Sequence, residues 1–227
     1  MAWTTKASDN FNRADETPIQ SPWILSAQNH IDIFNNVIVR NINRIDSSLC
    51  RAFLGNSVTY NQRQASIAQV DLVATLGIRC QDVDNCYLLT HSANGAVTYI
   101  QRLSAATPTT LASATTGDIN ATSSHYWFFG ADGTSLKGTG VLQSRAAVDT
   151  VDDVLIANFI TATDATYGSG KAQIVGSSRT STNFVDDWEG LEFSTGSAPR
   201  IFPRGRALNF GGFVPFAKGR IINSGGF

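Results

Sequence analysis

Short runs of strand-forming residues recur along the sequence at intervals of about 8 to 15 residues, with turn-forming residues between them. No stretch keeps the 3.6-residue apolar period of an amphipathic helix for three turns. Only 15% of the residues are charged, and just three are Glu and four are Lys, the residues that solvated helices use most. The sequence therefore predicts an all-β fold, and 227 residues are enough for one large β domain with a buried core.

The clearest predicted strand covers residues 65–76, where apolar side chains alternate with mostly polar ones. Turn signals fall at residues 92–95, 132–133 and 168–170. Residues 154–160 fit either one more strand or the only short helix. The other predicted strands lie at residues 31–34, 36–40, 87–91, 97–103, 109–113, 125–129, 171–177 and 185–193.

The net charge of -1 provides no overall field that would attract nucleic acid or an anionic membrane. No run of 18 apolar residues is present, and the first residues lack the apolar core of a signal peptide. We therefore expect synthesis in the cytoplasm, no nucleic-acid partner and no membrane insertion.

Three cysteines are too few, and an odd number, for a secreted disulfide scaffold. Cys80 and Cys86 bracket a five-residue loop and are close enough in sequence to face each other across a hairpin. We expect both to be reduced thiols, with a disulfide between them as the alternative. Cys50 has no such neighbour in sequence.

The composition changes abruptly near residue 194, because residues 194–227 contain no acid, five basic residues, seven Gly and three Pro. Such a segment cannot form a regular helix, yet it has too many Phe side chains for a solvated linker. We interpret residues 195–227 as an extended arm with apolar anchors, and a tail that folds back over its own sheet is the alternative. Residues 1–6 form a short lead before the main domain.

The opening of the sequence resembles the start of the concanavalin A-like, laminin-G-like jelly-roll family found in many phage and bacterial proteins. That family often begins with Asp-x-Phe-x-Arg, a short turn and a Trp about ten residues later. The chain departs from the pattern at residues 19–22, where Leu-Gly is usual. The matching positions are Asp9, Phe11, Arg13, Ala14, Asp15 and Trp23.

This resemblance implies a two-sheet antiparallel jelly-roll sandwich over residues 7–194, with its first strand paired antiparallel to the strand that ends at Phe193. We expect Phe11 and Trp23 to be core residues, since burying each is worth about 2 to 3 kcal/mol. Asp9 is expected either to pair with Arg13 or to cap a turn. The resemblance covers structural motifs only, so it implies a fold more than a function.

The sequence lacks the patterns that nucleophilic or metal-dependent catalysis requires. There is no Gly-x-Ser-x-Gly, and Ser169 is a turn residue by its glycine neighbours. The histidines, His30, His91 and His125, are far apart in sequence and are not spaced as zinc ligands. The loop at residues 82–85 alternates oxygen ligands but lacks the Gly and the distal Glu of a calcium loop, so we interpret it as a hairpin tip. No metal and no cofactor are expected.

The jelly-roll family includes glycosidases, so the resemblance makes glycoside hydrolysis a candidate activity. A retaining enzyme needs two carboxylates about 5 to 5.5 Å apart, commonly on alternate residues of one strand. Glu189 and Glu192 are three residues apart and should point to opposite faces, and Asp186 and Asp187 should alternate in the same way. We therefore expect no enzymatic activity.

Two classes of function remain. The first is a bacteriophage virion protein, of the head or the tail, that assembles with other virion proteins and copies of itself through the arm. The alternative is a carbohydrate-binding or receptor-binding adhesion module for a host-surface glycan, in which Tyr99 or Trp127 stacks on a sugar. The expected assembly contacts are Arg200, Phe202, Arg204, Arg206, Phe210, Phe213, Phe216, Lys218, Arg220 and Phe227.

Overall fold

The computed structural model describes residues 3–16, 23–25, 31–34, 37–40, 50–54, 58, 60, 62–70, 74–82, 84–92, 97–115, 125–142, 160–176 and 185–193. These residues form fifteen strands and no helix, so they include no helix that could cross a membrane. The strands are β1 Trp3–Asp9, β2 Trp23–Leu25, β3 Ile31–Phe34, β4 Val37–Arg40, β5 Cys50–Leu54, β6 Arg63–Val70, β7 Ala74–Asp82, β8 Asn85–Ser92, β9 Val97–Ser104, β10 Thr107–Thr115, β11 His125–Asp132, β12 Ser135–Leu142, β13 Ile160–Thr163, β14 Lys171–Gly176 and β15 Val185–Phe193.

The strands make two antiparallel sheets that pack face to face. Sheet A has the order β13-β12-β11-β6-β15-β4-β3, and β1 pairs with β15 beside that path. Sheet B has the order β10-β9-β8-β7-β14-β5-β2. The described residues therefore form an all-β jelly-roll sandwich, which confirms the predicted fold class.

The first and last strands pair as predicted. Trp3 lies opposite Phe193 and Asp9 lies opposite Trp188, so β1 and β15 run antiparallel along nearly their whole length. A register shift between Thr5 and Ala7 interrupts the pairing. This pairing joins the two ends of residues 3–193, which form one compact unit.

The single strand predicted at residues 65–76 is wrong. β6 ends at Val70 in sheet A, and β7 begins at Ala74 in sheet B. Ala68 and Leu76 nevertheless both enter the central core, because the inner faces of the two sheets enclose the same core. Apolar alternation continues across such a change of sheet, so the pattern alone does not reveal it.

The other predicted strands correspond to β3, β4, β8, β9, β10, β11, β14 and β15, with ends shifted by up to three residues. The predicted turn at residues 132–133 connects β11 to β12, and Gly133 supplies its positive φ of 56°. Ser169 lies exposed in a bend, as expected for a turn residue. Of the ambiguous segment 154–160, only Ile160 is described, and it begins β13. Residues 93–96 lie outside the described part of the chain.

Cys80 and Cys86 are buried and are not joined by a disulfide, in agreement with the expectation of reduced cysteines. They cluster with Leu88 and Leu103, and the Cys86 thiol lies 3.2 Å from Gln173 Oε1, to which it donates. The hairpin tip between β7 and β8 is closed by Asp82, whose carboxylate accepts from the Asp84 backbone N–H (2.8 Å) and from the Asn85 amide. Hairpin closure therefore occupies the carboxylate that a calcium loop would have used.

Candidate functional site

The residues of the opening motif form one connected unit around the carboxylate of Asp9. Its Oδ1 accepts hydrogen bonds from the Phe11 backbone N–H (2.9 Å) and from Arg13 Nη1 (2.6 Å). Its Oδ2 accepts from Trp23 Nε1 at 2.7 Å. Asp9 therefore both caps the turn and pairs with Arg13, so the two roles expected as alternatives occur together.

The aromatic members of this unit lie in the core between the sheets, as predicted. Phe11 and Trp23 are buried, with ring centroids 6.0 Å apart. Trp23 also meets Trp188 edge-on at 5.0 Å, and the Trp188 indole donates to Ser66 Oγ on β6 at 2.8 Å. The turn after β1 is thereby fixed against the start of β15.

A β-bulge in β15 shapes the surface above this aromatic unit. The register between β15 and β6 shifts between Asp186 and Glu189, and Asp187 has a φ of 44°. Asp and Asn adopt this left-handed conformation more readily than most residues, so an acidic residue suits the position. The bulge leaves the Asp187 side chain exposed, while Trp188 remains buried.

A groove of about 500 Å³ lies beside the bulge, where β1 ends and where β15 and β11 begin. This volume falls in the range of about 300 to 1,000 Å³ that is typical of small-molecule sites. Its wall includes one half-buried aromatic ring, Tyr126, and the floor includes buried Trp188. The described residues that line the groove are Ser8, Asp9, Asn10, Tyr126, Asp187, Trp188 and Glu189.

The groove is acidic, and none of the described residues that line it is basic. Glu189 Oε2 accepts a hydrogen bond from Thr5 Oγ1 at 2.9 Å, which holds that carboxylate against β1. Behind the lining, burial raises the pKa of Asp186; the Asp187 backbone N–H opposes this shift, while the charges of Asp187 and Asp9 add to it. Asp187 therefore presents the exposed carboxylate of the groove.

The two residues predicted to stack on a sugar have different positions. Tyr99 lies half-buried on β9, opposite Thr90 on one side and Ser113 on the other. Trp127 is fully buried, with 0% of its surface exposed, inside the core between the sheets. The prediction that Trp127 contacts a glycan is therefore wrong. Neighbouring side chains of a strand point to opposite faces of the sheet, so the Trp127 ring points inwards and Tyr126 points outwards.

The Trp127 ring is contacted edge-on by His91, with centroids 5.7 Å apart, and His91 Nδ1 lies 3.2 Å from Thr98 Oγ1. His91 is therefore a buried histidine that packs on the core. Among the described residues, no cluster of His, Cys, Asp or Glu could hold a metal ion. The side chains of His30 and His125 lie outside the described part.

His91 predicts a pH dependence of stability. Burial lowers the pKa of His91, so the folded protein holds the neutral ring. The unfolded chain protonates this histidine near pH 6.5, so its contribution is complete above that pH and is lost as the pH falls. We expect the urea midpoint to fall between pH 7 and pH 5, and the His91→Phe variant to show a flatter profile. If the urea midpoint depends equally on pH in the unmodified protein and in His91→Phe, His91 is not the source of the pH dependence and the prediction is wrong.

The assembly contacts predicted in the arm, from Arg200 to Phe227, lie outside the described residues. The groove was not predicted from the sequence. Asp9 and Asp187 lie far apart in the chain, and their proximity depends on the β1–β15 pairing and on the bulge. The aromatic run at residues 126–129 was the one available signal, and strand alternation leaves Tyr126 as its outward member next to buried Trp127.

No protein-family model matches the sequence, and no curated protein matches it. Solved structures do resemble the fold. A Bacillus subtilis protein of unknown function with a galectin-like fold is 8% identical, with a TM-score of 0.51 over 83% of this chain and 97% of that one. Carbohydrate-binding module CBM66 from Bacillus subtilis is 13% identical, with a TM-score of 0.44 over 84% and 92% of the two chains. A Bacillus licheniformis β-glucanase is 11% identical, with a TM-score of 0.49 over 83% and 98%.

At identities this low, the likeness shows a common jelly-roll sandwich and nothing about activity.

Proposed function

We propose that this protein is a carbohydrate-binding module that holds a neutral oligosaccharide in the groove between Tyr126 and Asp187. The observation that carries the proposal is the composition of the groove. One half-buried aromatic ring shares the groove with carboxylate, amide and hydroxyl side chains, on a surface supported by a buried aromatic unit.

This arrangement matches the two kinds of surface that a sugar presents. The C–H face of a pyranose ring is apolar and packs on an aromatic ring, while its hydroxyls donate hydrogen bonds to carboxylates. Asp187 provides the exposed carboxylate, and Ser8 and Asn10 add a hydroxyl and an amide, both exposed. Because the described lining has no basic residue, sialylated or sulfated glycans would meet like charge, which favours neutral sugars.

We propose binding without hydrolysis of the sugar. Glycosidases use two carboxyl groups, one as acid and one as nucleophile or base. In the groove, Asp9 accepts three hydrogen bonds from the motif and Glu189 accepts one from Thr5. We infer that these hydrogen bonds give both carboxylates a structural role. Asp187 is then the carboxylate of the lining that is available to a ligand.

The virion role expected from the sequence depends on residues 194–227, which lie outside the described part of the chain. It stays a prediction from composition. The lining of the groove, in contrast, is known from described residues, and its composition supports the proposal of glycan binding.

The test is a glycan array followed by calorimetry with the strongest neutral oligosaccharide. We expect Tyr126→Ala to weaken binding at least about tenfold, because stacking contributes about 0.5 to 1.5 kcal/mol beyond the area buried. Asp187→Asn keeps the shape of the side chain and removes its charge, and it should weaken binding by about three- to tenfold.

The matched control is Tyr99→Ala, which removes the half-buried tyrosine of β9 on sheet B. This variant should bind like the unmodified protein. Loss of binding in Tyr99→Ala but not in Tyr126→Ala would indicate a binding site on sheet B and would refute the proposal that the sugar binds in the groove. Stronger binding to sialylated glycans than to neutral ones would contradict the proposed specificity.

A further inference from the structure

Sheet B ends at β10, which pairs with β9 on one side and with no described strand on the other. With nine residues, β10 is the longest of the strands that end the two sheets within the described residues. Its first four side chains are exposed, Leu111, Ala112 and Ala114 are half-buried, and Ser113 and Thr115 are exposed. A sheet edge of this kind presents unpaired backbone N–H and C=O groups to a further strand.

Proteins usually protect such edges with charged residues, proline or bulges. The first half of β10 has two of these devices, Pro108 and a register shift between Thr110 and Ala112. The second half, Ala112–Thr115, pairs with β9 in continuous register and contains neither. No residue between 103 and 117 is charged. Among the described residues, the first half of this edge is therefore blocked, and the second half, Ala112–Thr115, is open.

The properties of the open half favour a second copy of this chain as its partner. In an antiparallel pair across a two-fold axis, the strand faces an identical strand of the other copy. A charged side chain near the axis would therefore lie close to a charge of the same sign. An uncharged strand avoids this repulsion. The side chains are also small: Ala112 and Ala114 pack on the core, while Ser113 and Thr115 are exposed. Small residues let two backbones approach to hydrogen-bonding distance.

The neighbouring edge strand of sheet A, β13, is likewise exposed and uncharged at its outward positions. β13 packs next to β10, and its Thr161 and Thr163 are exposed and uncharged. The nearest acid, Asp164, is engaged by Arg102 Nη1 at 2.7 Å and by the Tyr87 hydroxyl at 2.6 Å. A second copy would thus meet a neutral surface on both layers of the sandwich.

We propose that two copies of this protein pair antiparallel through Ala112–Thr115, which extends sheet B across a two-fold axis. Four residues per strand bury less than the roughly 1,200 Å² of a stable interface. The dimer is therefore weak and dependent on protein concentration. This proposal is independent of the glycan site, although a dimer would present two grooves and raise avidity for a multivalent surface.

Sedimentation velocity of the full chain over a concentration series tests the proposal. The mean mass should rise towards twice the monomer mass. Ser113→Lys places like charges near the two-fold axis and should raise the dimer dissociation constant at least about tenfold. Ser113 is exposed, so this variant should keep the fold, which circular dichroism checks.

The control is Ser169→Lys, the same substitution at an exposed bend before β14, which β7, β8 and β9 separate from β10 in sheet B. It should dimerise like the unmodified chain. A monomer at every concentration would overturn the proposal. A dimer that Ser113→Lys leaves intact, or that Ser169→Lys disrupts equally, would place the interface elsewhere and also overturn the proposal.

Discussion

Replacing Arg79 with methionine should lower the free energy of unfolding by about 3 kcal/mol, the largest effect of any substitution considered. The guanidinium is fully buried, with 0% of the residue exposed, and burial lowers its pKa. Its Nη1 donates to the Tyr167 carbonyl at 3.0 Å, and its Nη2 donates to the Gln62 carbonyl. Arg79 thereby links the loop before β6 to the loop before β14.

Two opposing terms decide the sign of this effect. Removing a buried charge recovers a desolvation cost, which can make such a replacement neutral or favourable. Here methionine also leaves two carbonyls without their donors, and each charged hydrogen bond is worth about 1.5 to 3 kcal/mol. We expect the hydrogen bonds to dominate.

Chemical denaturation of both Arg79 variants measures the outcome. Arg79→Lys keeps the charge but lacks the planar fork that reaches two acceptors, so its loss should be intermediate. If the free energy of unfolding of Arg79→Met lies within about 1 kcal/mol of that of the unmodified protein, the desolvation cost of the buried charge offsets its hydrogen bonds, and our expectation is wrong.

The second large effect is expected at Gly190, where alanine should cost about 2 to 3 kcal/mol. A Cβ at this position would overlap the Tyr60 hydroxyl and lie 2.9 Å from Trp188 Cη2. Neither ring can withdraw easily, because both belong to the central core. The substitution therefore acts by overpacking.

Tyr60→Phe supplies the matched control. The Tyr60 hydroxyl is buried and has no hydrogen-bond partner among the described residues. Burial and the charge of Glu192 raise its pKa, so it stays protonated. Tyr60→Phe alone should therefore be nearly neutral, while in the double variant it should recover at least about 1 kcal/mol of the loss. Additive effects of the two substitutions would contradict the proposed clash.

The all-β fold was predictable because the residue types agree at every level: little Glu and Lys, alternating apolar residues and frequent turn signals. The pairing of the first and last strands followed from the resemblance carried by Asp9, Phe11 and Trp23. The structure adds the reason for that motif, since one carboxylate joins the turn, the arginine and the indole.

Features that depend on tertiary context were not predictable. The β9–β10 turn uses Ala105 and Ala106 at φ of 48° and 67°, where glycine or asparagine is usual. Hydrogen bonds to the adjacent hairpin offset this strain: the Ala105 N–H donates to Asn85 Oδ1 and the Ala106 N–H to the Asp84 carbonyl. The groove likewise requires a bulge at Asp187, which no local pattern marks.

The central claim, that the groove beside Tyr126 binds a neutral oligosaccharide, is tested most directly by titrating ¹⁵N-labelled protein with the sugar that binds best. We expect chemical-shift changes concentrated on the backbone amides of Ser8, Asn10, Tyr126, Asp187 and Glu189. At the same sugar concentration, chosen below saturation, these changes should be smaller in Asp187→Asn, in line with binding that is about three- to tenfold weaker. Changes centred instead on Thr90, Tyr99 and Ser113 of sheet B, or no change with any neutral sugar, would contradict the central claim.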